Sequence, residues 1–227
     1  MPTHRDLELV IFDCDGVLVD SEPLAARGYS ATLAEIGVEI PAGVMEGAIG
    51  LKQADIWARI EAAVGRPIPA SLAERVWPRT RELFEAELQS TAGLCDFLDR
   101  LEIAHCVASS SHIERIRLSL RLTGLDRYFG EDVFSTQMVA RGKPAPDIFL
   151  FAAQRMGVQA SRCAVIEDSA PGVRGAVAAG MRAIGFLGGA HIRSGHGALL
   201  REAGAAFLAE SWADVDRLLA NEGLFAL

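Results

Sequence analysis

Short apolar runs recur along the chain, and segments with helical spacing separate them. Leu7–Phe12, broken only by Glu8, predicts a first strand. Ala104–Ala108, Asp132–Ser135, Cys163–Ile166, Arg182–Phe186 and Ala205–Leu208 predict five more. Ile113–Leu122, Pro146–Met156, Pro171–Ala179 and Trp212–Ala220 carry helical spacing between or after them. Pro171 suits a first helical turn and Gly180 a helix end, and the serines of "SSSH" offer capping chemistry ahead of Ile113. Strands alternating with helices of about ten residues imply parallel strands in a layered α/β sheet. Residues 21–90 break the rhythm. They hold no strand pattern but three helical stretches, Pro23–Ile36, Gln53–Val64 and Ser71–Gln89, separated by "GVEIPAG" and "VGRPIPA". An all-helical block inserted after the first strand predicts a lid. The expected division is a core of residues 1–19 and 90–227 and a helical domain of 20–89, hinged near Val19–Ser21 and Gln89–Thr91.

In parallel α/β sheets ligands bind beyond the carboxyl ends of the strands, so the residues that follow each strand are the candidates. Asp13, Cys14, Asp15 and Gly16 follow the first strand, Ser109 and Ser110 the second, and Glu167 and Asp168 the fourth. Lys143 stands in "RGKPAP", a loop stiffened by proline. Four acids, a hydroxyl and a lysine at one sheet edge suit phosphoryl transfer assisted by a hard divalent cation. Asp13, Glu167 and Asp168 are oxygen ligands of the kind Mg²⁺ prefers. With the charge offset, Asp13 is competent to attack phosphorus, while Asp15 as a neutral acid protonates the leaving oxygen and as base activates water. Each piece has a plainer reading. Asp13–Gly16 alone fits an Asx turn, Ser109 and Ser110 fit helix caps, Lys143 fits a surface lysine, and Glu167–Asp168 fits an acidic helix start. Leu18 and Leu24 stand at the sixth and twelfth positions from Asp13, which excludes an EF-hand loop.

The stretches "DCDGVLVDSE", "VASSS", "RGKPAPDIF" and "VIEDSAPGV" resemble, in order, the four motifs of the haloacid dehalogenase-like superfamily. The helical block after the first motif resembles the cap of the group that contains beta-phosphoglucomutase and many sugar-phosphate phosphatases. The resemblance spans about Leu7 to Phe186. It implies a Rossmann-like core with an inserted helical cap and a small phosphorylated metabolite as substrate. It further implies Asp13 as nucleophile, Asp15 as acid/base, and Ser109 and Lys143 as phosphate binders. Mg²⁺ would be held by Asp13, the backbone carbonyl of Asp15, Glu167 and Asp168. The mutases of the group carry a histidine where Ala25 stands and an arginine in the cap loop. Here that loop reads "GAIGLKQAD", with Lys52 as the cation available to a substrate. Hydrolysis is therefore expected over the alternative of a phosphosugar mutase. A non-catalytic phosphometabolite-binding protein is the alternative from another class.

Composition narrows the setting. A chain of 227 residues with 50 % hydrophobic content can bury a sizeable core. A net charge of −8 does not draw nucleic acid or anionic membrane, whereas a local cation can still bind a phosphorylated small molecule. Cys14, Cys95, Cys106 and Cys163 form no CxxC pair and read as reduced thiols, with Cys14 in a packing role. No run approaches the roughly 18 apolar residues of a membrane span. The expectation is a soluble, cytoplasmic monomer or weak homodimer. His191 and His196, in the Gly-rich "GGAHIRSGHG", read as members of a solvated loop. Arg115, Arg117 and Arg121 read as an exposed helix face, and His105 and Cys106 as core packing.

Overall fold

The computed structural model describes residues 7–48, 51 and 53–220. Strand β1 (Leu9–Phe12) is followed by helices α1 (Glu22–Ala34), α2 (Gln53–Val64) and α3 (Ala73–Glu87). Then come α4 (Leu94–Leu98), β2 (Ala104–Ser109), α5 (Ile113–Leu122), α6 (Asp126–Phe129) and β3 (Val133–Ser135). The chain continues with α7 (Asp147–Met156), β4 (Cys163–Glu167), α8 (Ala170–Ala178) and β5 (Arg182–Phe186). It ends with α9 (His196–Glu202), β6 (Phe207–Ala209) and α10 (Trp212–Ala220).

The six strands form one parallel sheet in the order β3-β2-β1-β4-β5-β6. Strand β1 is central, and Phe12 pairs with Val107 on one side and Ile166 on the other. The chain lays β2 and β3 to one side of β1, then crosses back for β4 to β6. The loops after β1 and β4 therefore part, leaving a crevice at the carboxyl edge. Burial on both faces explains why β1 and β4 are apolar runs rather than alternating ones. Within β1 successive side chains serve opposite faces. Val10 and Phe12 join the cluster that holds Phe97, Phe129 and Trp212, while Leu9 and Ile11 join the one that holds Ile148, Phe149 and Val173.

The helical segment has its own cluster: Tyr29, Leu33, Val38, Val44, Ile60, Leu72 and Val76. Its helices α1 and α3 approach closely at Gly28, where a Cβ would stand 2.1 Å from Thr80 Oγ1. The far end of α3 differs, since Phe84 and Leu88 belong to the cluster under the sheet. The chain enters and leaves this segment along two adjacent strands of backbone. Val19 bridges antiparallel to Ser90, the Asp20 amide donates to the Gln89 carbonyl (3.0 Å), and the Thr91 amide donates to the Leu18 carbonyl (3.0 Å).

The sequence missed the short helices α4, α6 and α9, which lack the two or three turns that make a periodic pattern readable. The serines of "SSSH" do not cap α5. His112 occupies the N-cap without a side-chain bond, and the Gln137 side chain accepts from the Ile113 amide instead (3.0 Å). No described helix is long and apolar enough to cross a membrane.

Candidate active site

Strand β1 delivers Asp13 to the crevice, and the Asp13 amide continues the ladder by donating to the Ile166 carbonyl (3.0 Å). The chain then folds into a tight loop in which Leu18 and Val19 both donate to the Cys14 carbonyl. Gly16 sits in that loop at φ +80°, and a Cβ there would fall 2.0 Å from Asp168 Oδ2. The position needs glycine for backbone conformation and for space. Lys143, from the loop before α7, is buried beneath. Its ammonium donates to Asp13 Oδ1 (2.5 Å), Glu167 Oε1 (2.6 Å) and the Ala108 carbonyl (3.0 Å), which uses all three of its protons. Residues from the ends of β1 and β4 thus meet on one cation.

Glu167 ends β4 with both oxygens engaged. Oε1 takes Lys143, and Oε2 takes the Ser169 amide (2.9 Å) and hydroxyl (2.8 Å). Ser169 also caps α8 by accepting from the Gly172 amide (3.1 Å). Glu167, expected from sequence as a metal ligand, here faces an ammonium and two donors, which leaves one lone pair on Oε1 open. Among the described residues no three acidic, His or Cys side chains close on one point, since Lys143 stands between Asp13 and Glu167.

Asp15 lies in a second cluster. Its Oδ1 accepts from Ser21 Oγ (2.6 Å) and Arg115 Nη2 (2.7 Å), and its Oδ2 accepts from Ser111 Oγ (2.6 Å). Burial alone would raise this carboxyl. The Arg115 guanidinium and the two hydroxyls overcome that and hold it below the usual range. In this arrangement Asp15 is ionised, not the neutral acid expected from sequence. Arg115 is likewise not on an exposed face: it points inward from the first turn of α5 and pairs with Asp15. Its neighbour Arg117 does face outward, paired with Glu131 (2.7 Å).

The Gly-rich loop after β5 is a second correction. His191 is buried, with Nε2 2.9 Å from Asp168 Oδ2 but not aligned for a hydrogen bond. His196 opens α9 and places Nε2 2.5 Å from the Asp168 backbone carbonyl. The loop is latched to the segment leaving β1, where the Ala190 amide donates to Asp20 Oδ1 (2.7 Å). At Gly189 a Cβ would stand 2.5 Å from the Gly16 carbonyl. Two glycines therefore let the loop lie against the Gly16 turn and bring His191 to Asp168. The glycines that suggested a flexible loop were the signal for this close packing.

The electrostatics follow. Burial pushes Asp13 and Asp168 well above the usual carboxylate range, and neighbouring carboxylates add to it while Lys143 opposes. Asp13 and Glu167 in turn raise Lys143 despite its burial. Burial, then Asp15 and Asp168, push Glu22 up to about 7. Burial lowers His191, which keeps it neutral at neutral pH. Five carboxylates face two fixed cations. A cavity of about 730 Å³ opens above them, with Asp13, Asp15, Ser109, Lys143 and Asp168 on its floor and α1 and α3 in its wall. Ser109 is buried, and its oxygen accepts from the Ser111 amide (3.1 Å), leaving its own proton for a ligand. Ser110 lines the same cavity. Lys52 lies outside the described residues.

Comparison with known proteins places this geometry. A family described as haloacid dehalogenase-like hydrolase matches residues 7–180. The 6-phosphogluconate phosphatase of Escherichia coli is 30 % identical over 187 residues, 82 % of this chain and 85 % of that protein. A conserved haloacid dehalogenase-like protein from Agrobacterium tumefaciens superposes with a TM-score of 0.86 at 36 % identity, over 96 % of this chain and 99 % of the other. A hydrolase of the same family from Deinococcus radiodurans, solved with bound phosphate and sodium, has a TM-score of 0.81 at 31 % identity, over 97 % and 98 %.

Proposed function

Because the chain belongs to the haloacid dehalogenase-like hydrolases and is a phosphatase, we propose that it hydrolyses a small phosphorylated sugar through an aspartyl-phosphate on Asp13, using Mg²⁺. The helical segment, residues 20–89, is on this reading a cap over the core of residues 1–19 and 90–227. Its own apolar cluster and the paired backbone at Val19 and Ser90 support that division. The observation that carries the chemistry is the Asp13–Lys143–Glu167 cluster at the end of the central strand.

An Asp13 oxygen attacks phosphorus, and the bond from phosphorus to the sugar oxygen breaks. That oxygen takes a proton from Asp15, which leaves Asp15 as the carboxylate seen here. Water then attacks phosphorus, Asp15 removes its proton, and the acyl-phosphate bond opens to give inorganic phosphate and free Asp13. Water thus returns to Asp15 the proton given to the leaving oxygen; because Asp15 is ionised in the free protein, it takes a proton up again with the next substrate. Lys143 opposes the rise of Asp13 and so favours the ionised form that attack requires, and Ser109 donates to a phosphoryl oxygen. Ser110 on the cavity wall is a further hydroxyl for the substrate, and Lys52 is retained as a substrate contact on sequence grounds alone.

The donor set fits Mg²⁺. Asp168 Oδ2 is a buried carboxylate oxygen with no hydrogen bond, Asp13 faces the same cavity, and burial, with the neighbouring carboxylates, raises both. Asp13, Asp168 and the Asp15 carbonyl would hold the ion, with Glu167 joining through the lone pair that Lys143 leaves open on Oε1. Bound there, Mg²⁺ offsets the repulsion between Asp13 and a phosphate dianion. The phosphate and sodium of the Deinococcus relative, and the substrate of the E. coli one, support an anion, a cation and a phosphosugar in such a fold.

The test is phosphate release over a panel of phosphorylated sugars, nucleotides and phosphoglycolate, with Mg²⁺ and with EDTA. The expected result is metal-dependent release, fastest on a sugar phosphate. Conversion of a hexose 1-phosphate to the 6-phosphate without net release would instead identify a mutase. Release unaffected by EDTA refutes the metal assignment.

A further inference from the structure

Arg115 makes contacts that its position on α5 does not require. Its Nη2 bonds Asp15 Oδ1 at 2.7 Å, while the guanidinium carbon lies 5.1 Å from the Phe84 ring centre and 5.9 Å from that of Trp77, both on α3. Its Nε is buried without a partner. An apolar side chain would fill the space between α5 and α3 without the cost of desolvating a charge. The charge is accounted for by Asp15, and its place by the two aromatic rings, whose faces attract a cation. The other groups on Asp15 are hydroxyls from Ser21, which precedes α1, and from Ser111, which follows β2. Of the three restraints on this carboxylate, one, Ser21, belongs to the helical segment, and a second, Arg115, leans on its helix α3.

Resting on the phosphatase reading, we infer that Arg115 is a positioning residue for Asp15, and that its seat on Trp77 and Phe84 makes the aim of Asp15 depend on the helical segment. Asp15 then faces the leaving oxygen only while α3 lies against Arg115. With Arg115 shortened or its seat removed, the carboxylate rotates among Ser21, Ser111 and solvent, and proton delivery fails while Asp13, Lys143 and Ser109 stay in place.

The readout is the dependence on the leaving group. A sugar oxygen needs a proton as the bond to phosphorus breaks, whereas p-nitrophenolate leaves without one. We expect Arg115→Met to lower kcat/KM for glucose 6-phosphate by about 100-fold, at the lower end of what a placed acid supplies. For p-nitrophenyl phosphate the change in kcat/KM should stay within about 5-fold, because no proton is needed up to release of the aryl group. Its kcat should fall further than its kcat/KM, since hydrolysis of the aspartyl-phosphate still uses Asp15 as base. Trp77→Leu should change the ratio of the two substrates in the same direction. Where near-UV circular dichroism shows Arg115→Met misfolded, Arg115→Lys, which keeps the charge and loses the guanidinium that reaches both Asp15 and the rings, decides by the same ratio. Equal losses on both substrates, or none on either, overturn the role of Arg115. An unchanged ratio in Trp77→Leu overturns the dependence on the helical segment. A wild-type protein that releases phosphate from neither substrate overturns the phosphosugar reading and this role with it.

Discussion

Lys143→Met is the sharpest test of the buried charge cluster. Methionine keeps most of the stem and removes the ammonium, so the change is electrical rather than steric. Three bonds are lost, two of them to carboxylates whose residues, like Lys143, are almost fully buried. Removing one partner of a buried ion pair costs about 3–5 kcal/mol, because the other charge is left uncompensated. For a chain of this size about 2–4 °C in Tm goes with each kcal/mol, so the melting point should fall by about 6–20 °C. The pH dependence has a definite sign. Neighbouring acids raise Lys143, so its contribution is fully present below about pH 10 and constant between pH 5 and 8. In the variant Asp13 is raised further, so the native state takes up protons on acidification and regains stability. Urea unfolding in EDTA at pH 8 and pH 5 measures both. The loss should be largest at pH 8 and shrink at pH 5, and adding Glu167→Gln to Lys143→Met should recover part of it. A loss below about 1 kcal/mol, or one independent of pH, would refute the view that Lys143 is the counter-ion of a desolvated carboxylate pair.

Two further outcomes follow from the same geometry. Asp13→Asn should lower kcat by at least about 1,000-fold, since an amide cannot form the acyl-phosphate, with far-UV circular dichroism unchanged; near-normal turnover would remove Asp13 as nucleophile. Glu22, raised to about 7, favours the protonated fold. Its contribution is therefore lost as pH rises from about 4.5 to 7, by about 1–3 kcal/mol, and Glu22→Gln should flatten that part of the stability profile. A profile that keeps its slope in the variant would place the titration elsewhere.

The long helices were legible as periodic patterns of several turns, and the strands as short apolar runs that fall between them. Gln53–Val64, Ile113–Leu122 and Trp212–Ala220 fall where the spacing placed them. The first strand begins at Leu9 rather than Leu7. At the site, Asp13, Asp15, Ser109, Ser110, Lys143, Glu167 and Asp168 line one cavity. Arg115 was not legible, because its neighbours Glu114 and Arg117 give the helix a polar face and spacing alone does not reveal that α3 covers one part of it. His191 was hidden by glycines that equally describe a mobile loop. Pairing Gly16 with Gly189 would have been the available clue, since glycines in two loops allow close backbone approach.

The sequence by itself determined which groups are available and which strand end each one follows, because period and chain order fix a parallel sheet and its carboxyl edge. The tertiary structure decided their state: that Lys143 stands between two acids, that Glu167 is already bonded, that Asp15 is ionised, and that His191 is buried against Asp168. The reason is that ionisation and hydrogen bonding depend on neighbours brought together from distant parts of the chain and on the water they exclude, and neither is written in local spacing.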